Sequence, residues 1–255
     1  MHPARGELMA AVTAAVMAAG DLTRRDRVFY LTMSILATLV VFAGFAPSFF
    51  LMAINPAARS LAPLYHVHGV LFSLWMLFYI NQNLLIVRRK PATHMRLGQF
   101  GAVLGCLLIV MAFTVTIYSG RHGLHGPLSA LPDQKQALAV PFFDMFVFAP
   151  LFFAALYFRR TSPEAHKRLM LVATVGGLLG AAIGRAPLFI GQADRQLYLY
   201  LALIFAGPVY DLLTRRRIHP AYYFALVPCL LLLTSVRLAI GASQPWHQFI
   251  GRIVG

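Results

Sequence analysis

The sequence predicts an all-α fold, a polytopic membrane bundle of seven transmembrane helices. Three observations carry that expectation. First, 59% of the 255 residues are hydrophobic and only 12% are charged, about half the charged share of a soluble domain. Second, the apolar residues gather into continuous runs of the ~20 residues needed to cross a bilayer core about 30 Å thick. Third, the net charge of +14 comes in short basic bursts between those runs and not along one surface stripe, the pattern of membrane topology signals. The combination excludes a soluble globular enzyme, a disordered tail and a nucleic-acid-binding module.

In chain order the runs cover roughly residues 28–53, 64–87, 97–118, 137–158, 169–190, 196–213 and 221–242. Each is too long and too continuously apolar for a strand of a membrane barrel. Inside lipid a segment must satisfy its own backbone hydrogen bonds, so each is read as a helix. Within the fifth, Gly176, Gly180 and Gly184 form a small-xxx-small ladder suited to close helix contact. Cys106 and Cys229 fall inside runs, lack metal-type spacing, and read as small apolar filler.

Lysine and arginine set the orientation. The N-terminus and the second, fourth and sixth loops hold Arg5, Arg24, Arg25, Arg27, Arg88, Arg89, Lys90, Arg96, Arg159, Arg160, Lys167, Arg168, Arg215, Arg216 and Arg217. The other side holds only Arg59, Arg121, Lys135, Arg195 and Arg252. The positive-inside rule places the N-terminus in the cytoplasm and the C-terminus in the periplasm. Residues 8–20 (LMAAVTAAVMAAG) are apolar but Ala-rich, and a basic cluster follows at once. They read as a cytoplasmic leader and not a cleaved signal peptide. The expected division is therefore a 1–26 extension and a 27–255 transmembrane domain.

Residues 88–97 (RRKPATHMRL) and 160–169 (RTSPEAHKRL) share R-x-x-P-x-x-H-x-R-L, and Arg215-Arg216-Arg217-Ile218-His219-Pro220 is a shortened echo. The chain thus reads as one helix plus three helical hairpins in a parallel internal repeat. Pro91 and Pro163 suit the first helical position, where a missing N–H costs nothing. His94 and His166 then lie one turn in, followed by Arg96 and Arg168. Helix N-termini with arginine suit an anion, and anionic lipid headgroups at the cytoplasmic face are the plainest partner.

Charges inside the spans are the strongest functional signal, since ions in hydrocarbon must find partners. Asp144, Arg185 and Arg237 all fall toward the outer third. The expectation is an Asp144–Arg185 pair with Arg237 close by, serving as interhelical glue or lining an outward-facing cavity for an acidic or polar ligand. An outer histidine set (His66, His68 and His247, with His122 and His125 in a loop) and an inner set (His94 and His166) are the two candidate metal sites. Asp211, His219 and Gln82, the last flanked by Asn81 and Asn83, join the inner set. The sequence contains no catalytic triad, H-E-x-x-H, P-loop or dinucleotide-type glycine fingerprint.

Several stretches carry a resemblance: FYLTMSILATLVVFAGFAPSFF at 29–50, His66-Val67-His68 with Trp75 and Gln82, His94-Met95-Arg96-Leu97-Gly98, AHKRLMLVATVGGLLGAAIGR at 165–185, Tyr210-Asp211 with His219-Pro220, and Pro245-Trp246-His247. From residue 27 onward the chain resembles an uncharacterised family of bacterial inner-membrane proteins with seven predicted helices. That resemblance implies the architecture and the bacterial cytoplasmic membrane, and no particular activity. It is more weakly similar to cytochrome b561-type domains, in which histidines near helix ends bind two b haems. That similarity would make His66 or His68, His94 and His166 ligands, with His247 or an outer-loop histidine replacing one that helix four lacks. Three functions stay open: a metal- or haem b-binding redox module exchanging electrons with quinone; a transporter or sensor built on Asp144, Arg185 and Arg237; and an accessory subunit of a larger membrane complex.

Overall fold

A computed structural model describes the backbone of residues 3–54 and 61–255, with side chains from Thr23 onward except Ala53. Arg5 and Arg59 lie outside the described side chains. The chain is a multi-pass helical membrane protein. Among the described residues the helices are α1 (Pro3–Phe45), α2 (Pro63–Val87), α3 (Pro91–His122), α4 (Gln134–Phe158), α5 (Pro163–Leu178), α6 (Gly180–Arg185), α7 (Ala193–Arg215), α8 (Pro220–Leu231), α9 (Thr234–Gly241) and α10 (Gln244–Val254).

Six segments are individually long and apolar enough to cross a bilayer, α5 and α6 together forming one of them. A seventh crossing exists only if α8 and α9 act as a single span, and these meet at a 45° bend. The 221–242 run is therefore broken. The chain is extended at Leu233, with ψ 154°, between the two helices. Proline opens α2, α3, α5 and α8 at the first turn, which is why α3 and α5 begin six residues earlier than hydropathy alone suggests. The helical backbone of residues 3–26 runs without interruption into the first span.

The most apolar stretch of the α5–α6 segment is 72% buried, against 22–44% for the other five, so this segment is the axis of the bundle. Gly177 sets its approach to α4. A Cβ there would lie 2.7 Å from the Phe148 Cα, so the two backbones touch. The expected glycine ladder is only partly used. Gly176 packs against the Cys229 sulfur, whereas a Cβ at Gly180 would meet only Asp144 Oδ1, at 3.8 Å, and Gly184 has no close neighbour. On the other side of the axis, Gly44 of α1 lies against the Ala182 backbone of α6. The C-terminal α10 buries Trp246, Ile250 and Val254 against Leu138 and Ala139 of α4, and Trp246 donates to the Lys135 carbonyl at 2.7 Å.

Candidate functional site

Two charged layers lie at opposite ends of the α5–α6 axis. Arg168 and Arg185 mark them, roughly 25 Å apart at about 1.5 Å per residue.

The layer at the arginine-rich turns is built around Asp211 of α7 and Arg168 of α5, both fully buried. The guanidinium grips the carboxylate with two bonds, Nε to Oδ2 and Nη2 to Oδ1, each 2.8 Å. Its remaining edge donates to the Glu164 carboxylate at 2.6 Å and the Glu164 carbonyl at 2.8 Å. Asp211 also accepts from Arg215 at 3.1 Å and from the His219 backbone N–H at 3.2 Å. Asp26 of α1 completes the layer, accepting from Arg215 at 2.5 Å, Lys167 at 2.6 Å and the Tyr210 hydroxyl at 2.9 Å. Asp26, Glu164 and Asp211 thus face Lys167, Arg168 and Arg215, and the charges close. A planar guanidinium matched bidentately to a carboxylate is the strongest ion-pair geometry available to side chains. An open cavity of about 500 Å³ reaches the layer past Arg217, His219 and Pro220. His219 accepts the Ala221 N–H through Nδ1 at 3.1 Å and so caps α8. Burial and then the charge of Arg168 hold its imidazole below the ordinary range, with Asp211 and Glu164 pulling the other way.

The layer at the opposite end corrects an expectation. Asp144 of α4 pairs with Arg237 of α9 and not with Arg185. Arg237 also donates to the Val140 carbonyl at 3.3 Å. Arg185, at the end of α6, turns outward to the carbonyls of His125, at 3.1 Å, and Ala181, at 3.2 Å, and lies 5.1 Å over the Phe45 ring. Equal depth in the bilayer is what predicts the Asp144–Arg185 pair, but depth does not fix the direction in which a side chain leaves its helix. Arg185 remains within electrostatic reach of both Asp144 and His68. One carboxylate therefore faces two guanidiniums. Two polar atoms here are buried without a partner, Arg237 Nε and His68 Nδ1. Arg237 sits one turn past the break between α8 and α9 at Leu232 and Leu233, and Arg185 is the last residue of α6.

His68 is the first of three side chains on α2 with such atoms. Trp75 Nε1 and both amide atoms of Gln82 are also buried and unpartnered. A spacing of seven residues puts all three on one face of the helix, forming a polar row from the Arg185 end toward the Asp211 end.

The histidine sets divide. His94 and His166 come together, their ring centroids 6.4 Å apart with planes at 78°. Each ties Nδ1 to a carbonyl of the preceding helix, Gln82 at 3.3 Å and Ala155 at 2.8 Å. The outer set does not assemble. His247 sits on Asp133 at 3.0 Å, His66 tilts against Phe49 at 5.9 Å, and His68 stacks on Phe72 at 6.1 Å. His122 and His125 are engaged with Tyr118 and Tyr65. Among the described residues no group of three or more His, Cys, Asp or Glu side chains could hold a metal ion. Arg96 is exposed although its aligned counterpart Arg168 is fully buried.

Asp26, Glu164, Lys167 and Arg215 were not singled out from the sequence as site residues. The available signal was the presence of acids inside otherwise basic turns, since an isolated carboxylate there has arginine on every side. Compared with known proteins, the chain matches no protein family, no curated protein and no solved structure.

Proposed function

We propose that the chain is a carrier or sensor of small organic anions. In this reading it is a seven-span inner-membrane bundle of one helix and three hairpins in parallel repeat. Its arginine-rich turns face the cytoplasm, and the Asp144, Arg185 and Arg237 layer is open to the periplasmic side. The observation that carries the reading is the charge imbalance at that layer. A buried arginine, Arg237, and a partly buried one at the end of its span, Arg185, share one carboxylate, and a buried ion without a counterion is expensive. An anionic ligand would supply the missing charge and accept from Arg237 Nε. An interrupted helix at such a layer, here the α8–α9 pair, is the device by which transporter folds place ligand sites within the bilayer. The polar row of α2 supports a path from this site toward the opposite face. The test is equilibrium binding of benzoate to purified protein. Saturable binding that disappears in Arg185→Gln is expected. Absence of saturable binding across acetate, lactate and benzoate would remove the reading.

A second reading has its own observation. His94 and His166 both have Nδ1 fixed by a carbonyl, which leaves each Nε2 available, the arrangement usual for metal-ligating histidine. The two imidazoles fit a metal ion completed by water better than a haem. They meet at the first turns of α3 and α5, beside the exposed Lys90 and Arg159, and not in an apolar slot between helices. Metal analysis and an absorption spectrum of the purified protein decide it. One bound transition-metal ion, lost in His94→Ala, supports the site, and a metal-free, colourless preparation excludes it.

A further inference from the structure

The two turns that share R-x-x-P-x-x-H-x-R-L solve the same electrostatic problem differently. At α5 the turn carries its own acceptors. Ser162 caps the helix, accepting from the Ala165 N–H at 3.3 Å, and Glu164 in the first turn binds Lys167 and Arg168. At α3 both acceptors are missing. The position of Ser162 is taken by Lys90, which makes no side-chain cap, and that of Glu164 by Ala92. The positive charge is nonetheless present. Arg24 and Arg27 of α1 and Arg89 of the α2–α3 corner line a cavity of about 490 Å³ together with Thr23, Ile86 and Pro91. No ion pair engages any of these three arginines among the described residues. Arg89 holds a left-handed backbone conformation, φ 56°, which a non-glycine residue adopts at a cost.

We propose that this cavity is a binding site for a phosphate group. Three guanidiniums from two segments converge on one volume. Beside Pro91 lies the uncapped start of a helix of 32 residues, whose first N–H groups and dipole favour an anion. Guanidinium forks match phosphate oxygens bidentately. The external phosphate supplies the acidic partner that this turn lacks and that the matching turn has in Glu164. The volume exceeds a bare phosphate, leaving room for the group that carries it, whether a phospholipid headgroup or a soluble phosphate ester.

The test uses full-length protein purified free of lipid, with inorganic phosphate as one probe and nanodiscs of phosphatidylglycerol or phosphatidylcholine as the other. Phosphate is expected to raise the melting temperature saturably. Arg27→Ala combined with Arg89→Ala weakens the half-saturating concentration by about tenfold or more, the scale of lost charge-assisted bonds. Arg160→Ala, on the matching turn and outside the cavity, leaves it unchanged. The decisive variant is Ala92→Glu. It places a carboxylate next to the lining residue Pro91, at an exposed first-turn position where acids are favoured, and should stabilise the protein while weakening its response to phosphate. Response to inorganic phosphate identifies a soluble ligand, and response only to phosphatidylglycerol over phosphatidylcholine identifies a lipid. The proposal is overturned if neither probe shifts the wild type, or if the double variant and Ala92→Glu respond as the wild type does.

Discussion

The charged layers at the two ends of the α5–α6 axis are built from the same residue types and balanced differently. Around Asp211, three acids meet three bases, and Arg168 is held on every edge. Around Asp144, one acid meets two bases, and polar atoms of Arg237 and His68 have no partner. Buried charge is costly in both places. A closed network answers that cost with its own residues and so joins α1, α5 and α7 as a structural clamp. An open one needs something from outside, which is the property of a ligand site. Counting the charges within a layer is more informative than noting that charges are buried.

The clamp should show the largest effect. Asp211→Ala should cost about 3–5 kcal/mol, because it takes the bidentate partner from the fully buried Arg168 and leaves it only the half-exposed Glu164. In urea unfolding in mild detergent, Asp211→Leu with Arg168→Met should recover most of that loss. If the single substitution costs under about 1 kcal/mol, the clamp contributes little and the contrast collapses.

A smaller effect separates close packing from open space on the axis. Gly177→Ala drives a Cβ into the Phe148 backbone and should destabilise by about 1–3 kcal/mol. Gly184→Ala meets nothing within 4 Å and should be neutral, or stabilising by up to about 1 kcal/mol through helix propensity. Thermal melts of the two variants check this. Equal losses would mean that the glycine at 184 is also tightly packed.

The smallest effect is on pH dependence. His219 is held below its ordinary value of 6.5. Its contribution to stability is therefore present above that value and lost as pH falls through the lower folded one. Protonation also removes the Nδ1 acceptor that caps α8. His219→Asn keeps a capping acceptor that does not titrate. Between pH 7 and pH 5 it should lose less stability than the wild type, and parallel pH profiles would contradict the assignment.

The spans were legible because continuous apolar runs report length directly. The second run, 64–87, differs by one residue from Pro63–Val87. The break between α8 and α9 was not legible, since Leu231, Leu232 and Leu233 are as apolar as the helices they separate. Arg168, Asp211 and His219 could be singled out because charged or titratable groups beside spans are unusual. Their partners Lys167 and Arg215 looked like ordinary positive-inside residues, and the sequence does not say which of two aligned arginines is buried. Arg96 and Arg168 occupy the same motif position, yet only Arg168 has a helix carrying Asp211 packed across from it. The Asp144 partner failed for a related reason. Depth follows from counting along a helix, whereas azimuth depends on how the neighbours rotate, and here the α8–α9 bend delivers Arg237.

The charge imbalance at Asp144 is tested most directly by thermal denaturation of Asp144→Asn with and without acetate. Asp144 is the one carboxylate at this layer among the described residues; its removal leaves Arg185 and Arg237 without a counterion, and the variant should lose about 2–3 kcal/mol in acetate-free buffer. Acetate should restore most of that loss saturably, and should not do so in Asp144→Asn combined with Arg185→Gln. An Asp144→Asn variant that is destabilised and indifferent to acetate would show the layer to be interhelical glue and contradict the account.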